Sequence, residues 1–179
     1  MGRARGVAVA LIAMAGLPGV GKTTVALGLA ERMPAAVVNV DRVESSLVKA
    51  EFERSFATGL ASYLVAEQVA RDNLALGHHV IVDAANYVTY ARDMWTRLAR
   101  EQSTPLLFVE VVCADLALHQ ARLEAREVVP GLPRLTFDDV VARYAETEPW
   151  AGEPHWLVDN ARPLDHDRVF AEVMAVLGK

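Results

Sequence analysis

Five short apolar runs recur along the chain: residues 7–14, 35–40, 79–82, 106–112 and 155–159. They are rich in Val, Ile, Leu and Ala and are uninterrupted rather than alternating, the pattern of strands buried on both faces of a parallel sheet. Between them lie segments with helical spacing. Val25 to Met33 stops at Pro34, which cannot continue a helix. Glu44 to Phe56 is mixed and predicts a second helix. Thr58 is placed to cap a longer one through Gly77, with Leu60, Leu64 and Leu74 on an apolar face and Val65 and Ala70 nearby.

The pattern continues with a helix over Tyr90 to Glu101, Met94, Trp95 and Leu98 facing inward, and another over Asp115 to Arg126. Residues 128–134 form an irregular Pro/Gly loop. Thr136 and Asp139 have capping-box spacing and open a helix to about Thr147. Asp165 to Leu177 closes the chain, with Val169, Val173 and Val176 spaced for packing. Strands alternating with helices predict a three-layer α/β/α architecture around a doubly wound, parallel, five-stranded sheet. We expect one domain over residues 1–179, with a helical lid at about 122–136. Ligands of such folds sit at the carboxyl ends of the strands.

At the end of the first run stands Gly16-Leu17-Pro18-Gly19-Val20-Gly21-Lys22-Thr23-Thr24, which fits the P-loop pattern G-x-x-x-x-G-K-[ST]. A strand precedes it and a helix follows, as the motif requires. Its glycines let backbone N–H groups converge on one anion, and the helix start adds the positive end of its dipole. Gly16, Gly19, Val20, Gly21, Lys22, Thr23 and Thr24 are therefore the expected ATP-binding residues. Lys22 would bridge the β- and γ-phosphates and the Thr23 hydroxyl would ligate Mg²⁺.

Two aspartates follow strands on the same edge. Asp41 is a candidate general base, the reading the P-loop favours over its alternative as the cap of the next helix. Arg42 beside it either holds an anionic substrate or faces solvent. Asp83 ends Val80-Ile81-Val82 as a Walker B aspartate does, a second candidate Mg²⁺ ligand beside Thr23; its alternative is a turn residue in Asp83-Ala84-Ala85-Asn86. No Glu follows Asp83, and no Asn-Lys-x-Asp guanine-reading motif occurs, which turns the reading away from hydrolytic motors and switch GTPases. Arg122 and Arg126 are four apart, with His119 three before Arg122, so the three share a helix face that could close over phosphates. His78-His79 is no metal site, since neighbours on a strand point to opposite faces. Trp150, Trp156, Tyr144 and Cys113 read as core.

Composition narrows the class. The 179 residues are 53% hydrophobic and 23% charged, with a net charge of −5 and a pI near 5.5, so there is no global basic footprint for nucleic acid. Arg3 and Arg5 ahead of the first run imitate a secretory leader, but that run feeds directly into the phosphate loop. No apolar stretch is long enough to span a bilayer. Cys113 is the only cysteine, which suits a reducing cytoplasm, the expected location.

Taken together, Gly16-x-Pro18-Gly19-x-Gly21-Lys22-Thr23, Asn39-Val40-Asp41-Arg42, Val82-Asp83-Ala84-Ala85-Asn86 and Arg122-Leu123-x-x-x-Arg126 resemble the small P-loop kinases of the polynucleotide-kinase-like group, which includes "AAA family ATPases". The chain is also similar to chloramphenicol phosphotransferase in length and in its second-strand Val-Asp. The resemblance implies a general base at Asp41, substrate contacts from Asp41, Arg42, Asp83 and Asn86, and catalytic lid arginines at Arg122 and Arg126 beside Lys22. It departs at Ala84-Ala85, where polynucleotide kinases commonly carry Thr-Asn. The expected activity is ATP-dependent transfer of the γ-phosphate to a hydroxyl of a small molecule (a nucleoside, sugar or antibiotic) by a monomer or homodimer. Two alternatives stand: a 5′-hydroxyl polynucleotide kinase with a basic groove near Arg42, Arg92 and Arg134, and an ATP-binding regulatory module with little turnover.

Overall fold

The computed structural model describes residues 8–178. Val7, placed at the start of the first predicted strand, lies outside them. Along the chain run β1 (Leu11–Ala15), α1 (Lys22–Ala30), β2 (Ala35–Asn39), α2 (Val40–Lys49), α3 (Phe56–Ala75), β3 (His79–Asp83), α4 (Thr89–Glu101), β4 (Leu106–Val112), α5 (Leu116–Ala125), α6 (Phe137–Ala145), β5 (His155–Asp159) and α7 (His166–Leu177). The strands pair in the order β2-β3-β1-β4-β5, and every pairing is parallel. This is the α/β fold of P-loop proteins.

β1 is central and all five of its residues are buried. Its side chains alternate between two cores. Leu11 and Ala13 join Val80, Val82 and Phe108 under Ala66 and Ala70 of α3 and Trp95 and Leu98 of α4. Ile12 and Met14 join Ile81, Leu107 and Val109 under Val25 and Leu29 of α1 and Val169 and Val173 of α7. Burial on both faces is why the strands read as unbroken apolar runs.

The chain leaves β1 through α1 for β2, two positions away, so β1 and β3 flank a switch point where both carboxyl ends open on one crevice. The phosphate loop follows β1 there and Asp83 ends β3.

Four expectations change. α2 begins at Val40 rather than Glu44, because Asn39 caps it from the last position of β2, its side-chain oxygen accepting from the Arg42 N–H. No loop separates strand from helix, which puts Asp41 inside the first turn and excludes it as the cap. α3 is capped by Ser55, and Thr58 is buried two residues inside the helix. The face of α3 turned to the sheet carries Ser62, Ala66, Ala70 and Leu74, whereas Leu64 and Val65 are exposed. Small residues there let a long helix lie close to the strands. Tyr144 is likewise exposed rather than core.

Candidate active site

The P-loop is shaped by bonds to the outside of its backbone. His119 on α5 donates through Nε2 to the Pro18 carbonyl at 2.7 Å, and Asn160 donates through Nδ2 to the Val20 carbonyl at 2.9 Å. Lys22 donates through Nζ to the Leu17 carbonyl at 2.9 Å. With the Pro18 and Val20 carbonyls held by α5 and by Asn160, the N–H groups of Gly19 to Thr24 find no acceptor among the described residues ahead of the first α1 bond. They converge on the cleft as an anion cradle. Two glycines are required by the geometry. Gly16 (φ 127°) lies so close to β4 that a Cβ would sit 2.2 Å from the Val111 carbonyl oxygen. Gly21 (φ 99°) caps α1, and a Cβ there would meet Asn160 at 2.2 Å.

Asn39 and Asp83 are register partners at the ends of β2 and β3. Asp83 Oδ2 accepts from the Thr23 hydroxyl at 2.7 Å and from Asn39 Nδ2 at 2.6 Å. Thr23 and Asp83, each expected as an Mg²⁺ ligand, therefore lie side by side, and Asn39 joins them, a residue whose part is not apparent from the sequence.

The Lys22 ammonium is drawn out of water in this cleft, and that desolvation lowers its pKa to about 8; Asp83 and Asp41 oppose the shift, whereas Arg126 and Arg143 reinforce it. A cavity of about 620 Å³ opens above it, lined by Thr23, Asp41, Asp83, Arg122, Arg126, Arg134 and Arg143 among others. Such a volume suits a nucleotide-sized ligand.

The three residues of the predicted α5 face separate. His119 is buried under the P-loop. Arg122 donates to the Asn160 carbonyl at 2.6 Å while still lining the cleft. Arg126 lies past the end of α5 in extended backbone, and its Nη2 donates to Asp41 Oδ2 at 3.0 Å. The segment that follows rests on α2, where the Ser45 hydroxyl donates to the Pro130 carbonyl at 2.5 Å. Arg143, on α6, reaches the cleft unforeseen; its signal was a capped helix immediately after the Pro/Gly loop.

One expectation is refined and one corrected. Asn86, expected at the substrate, borders a second cavity, but it is buried and its amide is committed to the fold, with Nδ2 donating to the Met14 carbonyl at 2.7 Å and Oδ1 accepting from Trp95 Nε1 at 3.0 Å. Its amide braces the turn after β3 (φ 47°). Arg92, expected in a basic groove, is 1% exposed. It pairs with Glu153 at 2.8 Å and lies over the Trp150 ring. Arg42 and Arg134 are exposed, Arg134 also bordering the cleft.

A parallel sheet with a glycine cradle at its switch point, a lysine in the cradle and an aspartate beside its threonine define a P-loop nucleotide-binding protein. The chain belongs to the AAA domain family, which matches residues 11–147. No curated protein matches it in sequence. Its fold is that of the small P-loop kinases. It is similar to Kti12 of Chaetomium thermophilum in complex with ADP-AlF3, with 20% identity and a TM-score of 0.71 over 94% of this chain and 100% of that one. It is also similar to the Mycobacterium tuberculosis APS kinase CysC in complex with AMPPNP and APS, with 18% identity and a TM-score of 0.69 over 96% and 99%. A gluconokinase from Sinorhizobium meliloti aligns at 18% identity and a TM-score of 0.65 over 97% and 93%.

Proposed function

We propose that the protein is an ATP-dependent phosphotransferase that moves the γ-phosphate to a hydroxyl of a small molecule. The observation that carries this reading is a carboxylate and a phosphate cradle on one cation-lined cavity: Asp41 on α2 and Lys22 both line it, and Arg126 pairs with Asp41 there. Phosphoryl transfer asks for little covalent chemistry from the protein and much positioning and charge neutralisation. Asp41 accepts the proton of the acceptor hydroxyl as its oxygen bonds to the γ-phosphorus and the bridging bond to ADP breaks. Lys22, Arg122, Arg126 and Arg143 surround the charge that develops on the transferred group.

The donors at Thr23 and Asp83 are a hydroxyl and a carboxylate, the oxygen ligands that Mg²⁺ prefers. No group of three His, Cys, Asp or Glu side chains fit to hold a metal occurs among the described residues, so phosphates and water would complete such a shell. Bound there, Mg²⁺ would neutralise phosphate charge. Arg126 is paired with Asp41 across this cleft. An arriving γ-phosphate competes for that guanidinium and leaves the carboxylate available to the acceptor.

The test is transfer from labelled ATP to a panel of hydroxyl compounds. Asp41→Asn keeps nucleotide affinity and loses roughly a hundredfold or more in kcat, as for a general base. Normal turnover by Asp41→Asn overturns the base assignment. A 5′-hydroxyl oligonucleotide accepting phosphate, with affinity falling steeply in salt, would instead select the polynucleotide reading; the burial of Arg92 already weakens its groove. Binding of ATP with transfer to no acceptor would select the regulatory module.

A further inference from the structure

Beyond Glu44 a second cavity of about 490 Å³ adjoins the first, sharing Glu44 and Arg54 as its wall. Its chemistry is the opposite. The phosphate chamber is lined by Lys22, Arg54, Arg122, Arg126, Arg134 and Arg143. In the second, Glu44 and Arg54 are the only charged side chains among the described residues that line it, and they face each other at 3.5 Å. Most of the remainder is aromatic or aliphatic.

Phe56 opens α3 and Tyr90 lies in the first turn of α4, and both border this cavity. They are 82% and 63% exposed, so neither is held there by the core. Tyr63 lies deeper, its ring 6.2 Å from that of Trp95. Burial pushes the Tyr63 phenol well above its ordinary pKa, so it remains a neutral hydroxyl. Tyr87 adds a third phenol.

We propose that this cavity seats the ring of the phosphate acceptor, a neutral, hydroxyl-bearing molecule built on a flat aromatic or heteroaromatic ring. The inference rests on the phosphotransferase reading above and names the class of its acceptor. Asp41 and Glu44 are three residues apart on α2 and share a face; Asp41 lines the phosphate chamber and Glu44 lines both. A ring against Tyr63 and Phe56 therefore sends its hydroxyl past Glu44 toward Asp41. There the hydroxyl gives its proton to Asp41, its oxygen bonds to the γ-phosphorus, and the electron pair of the bridging P–O bond leaves with ADP. Aromatic walls match a planar partner. A carboxylate or phosphate on the acceptor would be desolvated with no unpaired cation to meet it, which disfavours sugar acids and nucleotides.

The experiment compares adenosine and 1-phenyl-1,3-propanediol with gluconate, each tested for phosphate transfer from labelled ATP and, separately, for calorimetric binding to the full chain with AMPPNP. The first two are expected to bind and to accept phosphate at least tenfold faster than gluconate. Phe56→Ser with Tyr90→Ser, at exposed positions that fold safely, raises the KM for those two at least tenfold and lowers kcat less than threefold. If gluconate is the better acceptor, if neither ring compound binds, or if the double variant leaves KM unmoved, the ring site is wrong. Ring compounds that bind, lose affinity in the double variant and receive no phosphate would uphold the cavity and overturn the transfer reading instead.

Discussion

Lys22 offers the most direct test of the cleft's electrostatics. Its pKa is lowered from 10.5 to about 8 by removal of its ammonium from water, so in the nucleotide-free protein it carries its charge at pH 7 and has lost most of it by pH 9. A phosphate ligand needs the charged form. If only that form binds, the Kd for AMPPNP rises by roughly tenfold between pH 7 and pH 9, following one proton. The phosphates raise the Lys22 pKa in the complex, so binding at pH 9 takes up close to one proton per site. Stability of the free protein moves the other way. Because the folded pKa lies below the unfolded one, the unfolded chain holds more protons between pH 8 and 10.5, and this group's contribution to stability rises with pH across that window. Calorimetry in buffers of different ionisation enthalpy reads both the affinity and the proton uptake, and Lys22→Ala should abolish the uptake. An affinity flat from pH 7 to 9 with no proton taken up would refute the desolvated lysine and the cradle built around it.

Three further substitutions and one surface control probe the scaffold. Asn86→Ala removes two buried hydrogen bonds and places alanine at a left-handed φ; a loss of about 2–4 kcal/mol in urea unfolding is expected, and a loss under 0.5 kcal/mol would show that the brace carries nothing. Gly21→Ala forces a Cβ into Asn160 at positive φ and should lower stability by about 1–3 kcal/mol while weakening AMPPNP binding, read by thermal melts and calorimetry. Arg92→Met strands the Glu153 carboxylate, and a destabilisation of about 3–5 kcal/mol is expected; Arg42→Met, at an exposed position, should unfold within ~0.5 kcal/mol of the parent.

The strands were legible because a parallel sheet covered on both faces leaves no polar alternation, and the five runs end where β1 to β5 end to within a residue or two. Helix faces were less so. α3 turns Ser62, Ala66 and Ala70 to the sheet and leaves Leu64, Val65 and Val69 exposed, an inversion that apolar periodicity cannot show, since helix-to-sheet spacing selects for size there. The start of α2 was missed for a local reason: Asn39 ends a strand and caps a helix at once, so the loop that sequence patterns rely on does not exist. Arg92 was misread because charge signals exposure until a partner is known, and its partners Glu153 and Trp150 come from a segment some sixty residues away.

The same contrast divides the candidate site. The phosphate half is recognised by backbone, and a backbone shape at a strand-to-helix turn must be written into contiguous residues: glycines where φ is positive, a lysine and a threonine at fixed offsets. Its reading from residues 16–24 therefore needed no tertiary knowledge. The half proposed for the acceptor is made of side chains that converge from α2, the start of α3, the turn after β3 and the start of α4. Each of these residues, taken singly, is an ordinary tyrosine, phenylalanine or ion pair, and only the order in which the sheet stacks them makes a chamber. Arg126 lines the phosphate half and pairs there with Asp41. It lies beyond the end of α5, where the chain is free of helical geometry, and that position lets it cross the cleft to Asp41. A guanidinium fixed on the helix face would have been committed to one wall, whereas one past its end can exchange a carboxylate for a phosphate, and in the proposed transfer that exchange would couple arrival of the nucleotide to release of Asp41 for the acceptor.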